Sequence, residues 1–192
     1  MGVSLSKGEN LSLSAGHPKL SKILVGLGWD ARTSSGAAFD LDASAFLLND
    51  QGLVNSDNDF IFYNQTVSSC KSVKHTGDNR TGEGEGDDES LVIDLTLVPQ
   101  NVKKVSVAVT IHDGERLNQN FGQVSSAFMR IVDTESGVEI ARFDLSEDFS
   151  SETALIFGDV YLHKGEWKFK AVGEGYRGGL IYLCKRFGVT VG

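Results

Sequence analysis

The sequence predicts an all-β fold: a β-sandwich of about ten strands in one domain that spans residues 1–192. Apolar and polar residues alternate with a period of two through most of the chain, which is typical of half-buried strands. Turn signals such as Lys164-Gly165 separate the alternating segments. Helical spacing is confined to two short segments, which we expect to cap the sandwich.

In the first half of the chain, residues 3–6 and 11–14 alternate cleanly on either side of a Lys-Gly-Glu-Asn turn. Continuous apolar runs that are typical of buried strands follow at residues 22–29 and 44–48, and a shorter strand is predicted at residues 59–63. Residues 65–90 carry no strand of their own in this interpretation. A segment of that length without secondary structure is usually functional or disordered.

The second half repeats the alternating pattern. Strands are predicted at residues 91–98, 105–111, 127–132, 137–143, 154–163 and 166–173. A turn or two of helix is predicted at residues 115–121. Leu180, Leu183, Cys184 and Phe187 have helical spacing before Gly188, which is a typical C-terminal stop for a helix.

Composition excludes several classes of protein. The 18 Lys and Arg residues against 26 Asp and Glu residues give a net charge of −8, and no basic cluster exceeds the pair Lys103-Lys104. Direct nucleic-acid binding is therefore not expected. Cys70 and Cys184 are far apart and outside any Cys-x-x-Cys motif, so neither a disulfide framework nor a zinc site is predicted. The N-terminus lacks the apolar region of a signal peptide, and we expect a cytoplasmic protein.

The most informative motif is the acidic run at residues 78–89, Asp-Asn-Arg-Thr-Gly-Glu-Gly-Glu-Gly-Asp-Asp-Glu, which holds six carboxylates, one cation and three glycines. Two carboxylates about 5 Å apart repel each other by roughly 0.8 kcal/mol even at the dielectric constant of water. The run must therefore extend into solvent or be neutralised by a cation. Taken alone, such a run is also typical of a solvated acidic linker.

Two further acidic clusters favour neutralisation by a bound cation over extension into solvent. Asp40 and Asp42 form one cluster, Asp57 and Asp59 form another, and Asp30 precedes both. Residues i and i+2 of a strand point to the same face, so each pair can reach one ion. The same alternation would place Glu83, Glu85, Asp87 and Glu89 on one face.

These residues predict a long metal-binding loop at one end of the sandwich. Hard oxygen ligands on a glycine-rich backbone suit Ca²⁺, which takes roughly 6 to 8 oxygens, so the carboxylates are sufficient for about two ions. An EF-hand is excluded because the helices and the glycine and glutamate spacing of that motif are missing. The predicted ligands are Asp30, Asp40, Asp42, Asp57, Asn58, Asp59, Asp78, Asn79, Glu83, Glu85, Asp87, Asp88 and Glu89.

Several segments together resemble the tellurium-resistance TerD family. They are Gly-Leu-Gly-Trp-Asp at 26–30, Phe-Asp-Leu-Asp-Ala-Ser at 39–44, Asp-Phe-Ile-Phe-Tyr-Asn at 59–64, the acidic segment at 75–89 and Tyr-Arg-Gly-Gly-Leu at 176–180. The resemblance covers essentially the whole chain, and the acidic segment is its most specific part. It implies a Ca²⁺-binding β-sandwich from the bacterial stress operons that confer resistance to tellurite, phage and pore-forming colicins.

Two functional classes follow from the sequence and the resemblance. The first is a noncatalytic module in which Ca²⁺ orders the acidic loop for binding of a partner. Its partners would be other proteins of the same stress-resistance system, with the inner membrane surface as one location. The alternative is a metal-dependent enzyme or a direct tellurite-detoxifying protein. No nucleophile or general base is evident near the acidic clusters, so no catalytic residue is predicted.

Overall fold

We describe the fold from a computed structural model, which covers residues 2–30, 38–76, 86–145 and 149–191. Within these ranges the chain forms two six-stranded sheets that pack face to face. The strands are β1 (Val3–Ser4), β2 (Asn10–Ser12), β3 (Lys22–Asp30), β4 (Leu41–Leu48), β5 (Phe60–Ile61), β6 (Val73–His75), β7 (Glu89–Asp94), β8 (Lys104–Ile111), β9 (Ser125–Asp133), β10 (Glu139–Asp144), β11 (Ala154–His163) and β12 (Glu166–Tyr176). The predicted β-sandwich is confirmed.

The strand order is β1-β10-β9-β3-β7-β6 in the first sheet and β2-β12-β11-β8-β4-β5 in the second. All neighbouring strands are antiparallel except β1 and β10, which are parallel. The period-two pattern explains the main core, since alternate residues such as Leu91 and Ile93 point between the sheets. Burial of these side chains is the principal stabilising term of a sandwich.

Strand β4 is buried on both faces. Leu41, Ala43, Ala45 and Leu47 face the core between the sheets. Phe46 and Leu48 face outward into a second hydrophobic cluster, where Phe46 stacks on Phe60 and contacts Phe187. This double burial explains why residues 45–48 of β4 form a continuous apolar run rather than an alternating one.

The second cluster is covered by helix α2 (Gly179–Phe187). The helix buries Leu183, Cys184 and Phe187 on one side and ends at Gly188, whose φ of 80° is the left-handed conformation that glycine adopts at low cost. The sequence-based prediction of this C-terminal helix is confirmed. The described residues contain no helix long and apolar enough to cross a bilayer.

Three local predictions are wrong. Residues 65–90 contain strand β6 and the start of β7, since the short Val73-Lys74-His75 alternation pairs with β7. Residues 115–121 form turns that lead into a 3₁₀ helix at Phe121–Gln123, because Asp113 and Asn118 adopt left-handed φ angles of 52° and 51° that no right-handed helix accommodates.

The second alternating segment near the N-terminus is also shorter than predicted. Strand β2 ends at Ser12, and helix α1 (Leu13–Gly16) begins immediately after it. The Ser12 hydroxyl accepts a hydrogen bond from the Ala15 N–H at 3.1 Å, which is the N-cap interaction that favours a helix over further strand.

Candidate metal centre

The centre of the candidate site is Asp42, near the first residue of β4. Asp42 pairs with Thr110 of β8, and only 6% of the surface of Asp42 is exposed. The strand pairing continues before β4, because the His112 N–H donates to the Asp40 carbonyl oxygen at 2.8 Å. The backbone therefore fixes Asp40 and Asp42 at one end of the second sheet.

Glu89 reaches the same place from the first sheet. It is the first residue of β7, and in line with Leu91 and Ile93 it points into the sandwich. Its Oε2 accepts a hydrogen bond from the Ala43 N–H, and the same oxygen lies 3.6 Å from His75 Nε2. Glu89 and Asp42 thus lie at the same end of the sandwich, Glu89 between the sheets and Asp42 on the outer face of the second sheet.

The electrostatics of this cluster are unfavourable to further negative charge. Burial, followed by the nearby charges of Asp40 and Glu89, raises the pKa of Asp42 to about 7, while His112 Nδ1, 3.3 Å from Asp42 Oδ2, opposes the rise. An ordinary aspartate has a pKa of 3.8. A cation bound here would remove the repulsion that holds Asp42 partly protonated at neutral pH.

Asp88 is adjacent to the cluster along the chain. Its N–H donates to the Leu27 carbonyl oxygen at 2.7 Å, and its Oδ2 accepts from the Trp29 N–H at 2.9 Å. These bonds fix the end of the acidic run to the last residues of β3. Asp30, which ends β3, is exposed beside this segment.

Asp87 has a different partner from Glu89, so the prediction that the two share one acidic face is wrong. Arg130 Nε and Nη2 donate to Asp87 Oδ1 and Oδ2 at 2.8 and 3.1 Å, and this pair raises the pKa of Arg130. The pair lies against Gly26, where a β-carbon would be only 2.1 Å from Asp87 Oδ2. Asp87 is therefore neutralised by an arginine.

The Asp57, Asn58 and Asp59 cluster lies elsewhere. These residues form a 3₁₀ helix, so the expected strand-like alternation of Asp57 and Asp59 is wrong. Phe60 pairs with Phe46. The same register places the preceding residue, Asp59, beside Leu47, which is about 16 Å along the strand from Asp42. Asp57 Oδ1 accepts from the Thr190 N–H at 2.9 Å and Asp59 Oδ2 from the Asn55 N–H at 3.1 Å. These carboxylates bind backbone at the far end of β4 and cannot share an ion with Asp42.

The remaining predicted ligands, Asp78, Asn79, Glu83 and Glu85, lie outside the described residues. In the described part of the chain, no group of three or more His, Cys, Asp or Glu side chains is arranged to hold a metal ion. Asp40, Asp42, Asp88 and Glu89 are the predicted ligands that the structure places at this end of the sandwich, without bringing them together around one point. In the sequence, Asp88 and Glu89 directly follow the segment in which the other predicted ligands occur.

Two histidines that the ligand prediction omitted belong to this site. His75 is buried against Glu89, and the period-two alternation with Val73 could have indicated its inward direction. His112 contacts Asp42, whereas its neighbour Asp113 accepts hydrogen bonds from Arg116 at 2.7 and 3.1 Å. The neighbouring side chains of His112 and Asp113 therefore have different partners.

Two packed six-stranded sheets, with the buried carboxylates Asp42 and Glu89 at one end, define the structural class of this protein. A family model described as the TerD domain matches residues 1–187. The chain therefore belongs to the TerD domain family, whose members include tellurium-resistance and general stress proteins.

Close relatives support this assignment over full length. The chain is 59% identical over 190 residues to a tellurium resistance protein TerD of Serratia marcescens, with 99% of each chain covered. It is 53% identical to general stress protein 16U of Bacillus subtilis strain 168, with 100% of each covered. A crystal structure of a homologue of telluride resistance protein (TerD) from Streptomyces coelicolor shares the fold, with a TM-score of 0.68, 19% identity, and 85% and 95% of the two chains covered.

Proposed function

We propose that the protein is a Ca²⁺-binding interaction module of the bacterial stress response. The observation that carries the proposal is the set of buried carboxylates from both sheets, in which Asp42 has a pKa of about 7 because burial and the charges of Asp40 and Glu89 disfavour its ionisation. A bound cation would stabilise this arrangement, and carboxylate donors favour a hard one.

Asp40, Asp42, Asp88 and Glu89 would supply described ligands, with Asp30 beside them. Asp78, Asn79, Glu83 and Glu85 would complete two sites, since about 6 to 8 oxygens are needed for each Ca²⁺. Mg²⁺ should substitute poorly, because it demands tighter octahedral geometry and loses its water reluctantly. The ion would neutralise this end of the sandwich and change the surface that it presents to a partner.

A noncatalytic role is favoured over redox detoxification by the positions of the two thiols. Cys70 contacts the core between the sheets, and Cys184 belongs to the outer cluster beneath α2. Both are free, and burial raises the pKa of Cys184 to about 11. Reduction of an oxyanion by the chain itself would need two thiols in reach of each other, or a redox cofactor.

Thermal unfolding in Ca²⁺, Mg²⁺ or chelator tests ion binding. Calcium at about 100 times its Kd adds roughly 2.7 kcal/mol per site, which raises the melting temperature of a protein of this size by about 5 °C or more. Asp42→Asn should lose most of this increase, whereas Asp50→Asn on an exposed turn should keep it. A wild-type melting temperature that is identical in all three solutions rejects the proposal.

The cellular role is tested separately by complementation. A strain that lacks the gene is supplied with the wild-type gene, the Asp42→Asn variant or the Asp50→Asn control, and growth on tellurite is compared at equal protein levels. We expect the wild type and the control to restore growth and Asp42→Asn to fail. Full rescue by Asp42→Asn would separate stress resistance from the ion site.

A further inference from the structure

A cavity of about 460 Å³ lies on the outer face of the second sheet. Its floor is formed by the ends of β4 and β8, and its far wall by the first turn of helix α2. Tyr63 lies at one side, with its ring centre 6.3 Å from that of His112. The volume is sufficient for a small organic molecule.

The floor of this cavity carries a polar group that the fold does not use. Thr110 is only 2% exposed and, unlike its neighbours Val109 and Ile111, points away from the core between the sheets. Among the residues that the structure describes, none hydrogen-bonds its hydroxyl. The hydroxyl therefore faces the cavity, where it is available to accept a hydrogen bond from a ligand.

One wall of the cavity is negative. Asp42, Asp113 and Glu115 line it together with a single guanidinium, Arg116. Both hydrogen bonds of Arg116 go to Asp113. Asp42 lies 3.3 Å from His112 Nδ1, so Glu115 is the carboxylate of this wall that has no cationic partner among the described residues, and it attracts an ammonium group and repels a simple anion.

The opposite wall is positive. Helix α2 begins after Gly178, which offers no side chain, and the first turn has neither a side-chain cap nor an acidic residue. The Gly179 N–H donates to the Thr153 hydroxyl at 3.0 Å. The N–H groups of Leu180 and Ile181 have no partner within a helix at these positions, and they carry the partial positive charge of the helix start.

We propose that the cavity binds a small zwitterion, specifically a free α-amino acid with an apolar side chain. Its ammonium group would donate to Thr110 and lie against Asp42 and Glu115, and its carboxylate would accept from the first-turn N–H groups of α2. A ligand with only one of these charges would satisfy one wall and oppose the other. Tyr63 and the exposed Ile181 side chain supply apolar surface for the ligand's side chain.

The test compares three molecules with the same hydrocarbon skeleton: L-leucine, isoamylamine, which lacks the carboxylate, and isocaproate, which lacks the ammonium group. Each is titrated at up to millimolar concentration by calorimetry, with backbone amide NMR of Leu180 and Ile181 as a local readout. We expect leucine to bind and both analogues to bind at least about tenfold more weakly. Equal affinity for either analogue, or no binding of leucine, overturns the proposal.

Variants locate the binding. Thr110→Val removes the hydroxyl at constant shape and Glu115→Gln removes one charge, and each should weaken leucine binding about tenfold. Glu135→Gln, an exposed turn residue of the first sheet, should bind as the wild type does. Unchanged affinity in both cavity variants places leucine elsewhere and refutes the assignment. Titration both in chelator and in Ca²⁺ keeps the result independent of the proposed ion site, because the chelator measurement does not depend on calcium.

Discussion

Replacement of Asp42 by Asn should stabilise the ion-free protein at neutral pH. The folded chain holds the pKa of Asp42 near 7, against 3.8 for an ordinary aspartate, chiefly by burial and then by the charges of Asp40 and Glu89. A difference of this size corresponds to about 4 kcal/mol at most, or about 2 kcal/mol after allowance for solvent screening. Asn keeps the shape and cannot ionise.

The sign of the pH dependence follows from proton binding. Between about pH 4 and pH 7 the folded state holds a proton on Asp42 that the unfolded state has released, so the free energy of unfolding falls as the pH rises through this window. The Asn variant lacks this fall. Its advantage over the wild type should therefore be absent below about pH 4 and reach about 2 kcal/mol above pH 7.

Urea unfolding of both proteins in chelator, at several pH values from 4 to 8, measures this difference. In Ca²⁺ the wild type should become the more stable of the two proteins, because the ion stabilises the wild type and the variant lacks one of its ligands. Parallel stability curves for the two proteins across the whole pH range would refute the electrostatic reasoning. A variant less stable than the wild type in chelator above pH 7 would refute it as well.

Two further substitutions test the geometry. Gly26→Ala should destabilise the protein by about 1–3 kcal/mol in chemical unfolding, because the added β-carbon would displace Asp87 from Arg130. Gly16→Ala should have little effect, since no atom lies within 4 Å of its added carbon. Equal stabilities of the two variants would contradict the packing argument. Asp88→Asn should lower Ca²⁺ affinity by at least about tenfold, since a charged ligand is lost, and Asp59→Asn should leave it unchanged in the same titration. A large loss of affinity in Asp59→Asn would show that the two ends of β4 are linked.

Local periodicity predicted most of the sandwich because each long strand carries its own apolar face. The alternation at residues 105–111 corresponds to β8, that at residues 91–98 overlaps β7 but continues past its end at Asp94, and Gly188 ended the C-terminal helix as expected. Strand β6 was missed because three residues are too few to establish a period, and its pairing with β7 is a tertiary contact. The helix predicted at residues 115–121 failed because spacing does not reveal left-handed backbone at Asp113 and Asn118.

For the acidic clusters too, the sequence predicted local neighbours but not tertiary contacts. The sequence could associate Asp40 and Asp42, whose backbone positions are adjacent in one strand end. It could not show that Asp59 lies about 16 Å away, because the pairing of Phe60 with Phe46 sets that distance. The inward direction of Glu89 was readable from its alternation with Leu91 and Ile93, but its contact with Ala43 depends on how the two sheets pack.

The measurement that tests the proposed ion site most directly is a Ca²⁺ titration followed by backbone amide NMR at four reporter groups. The Ala43 and Trp29 N–H groups donate to Glu89 and Asp88, and the Asn55 and Thr190 N–H groups donate to Asp59 and Asp57. If calcium binds at the end of the sandwich where Asp42 lies, the first two resonances shift with the titration and the last two stay in place. Shifts confined to Asn55 and Thr190, or no shift at any of the four, would contradict this account.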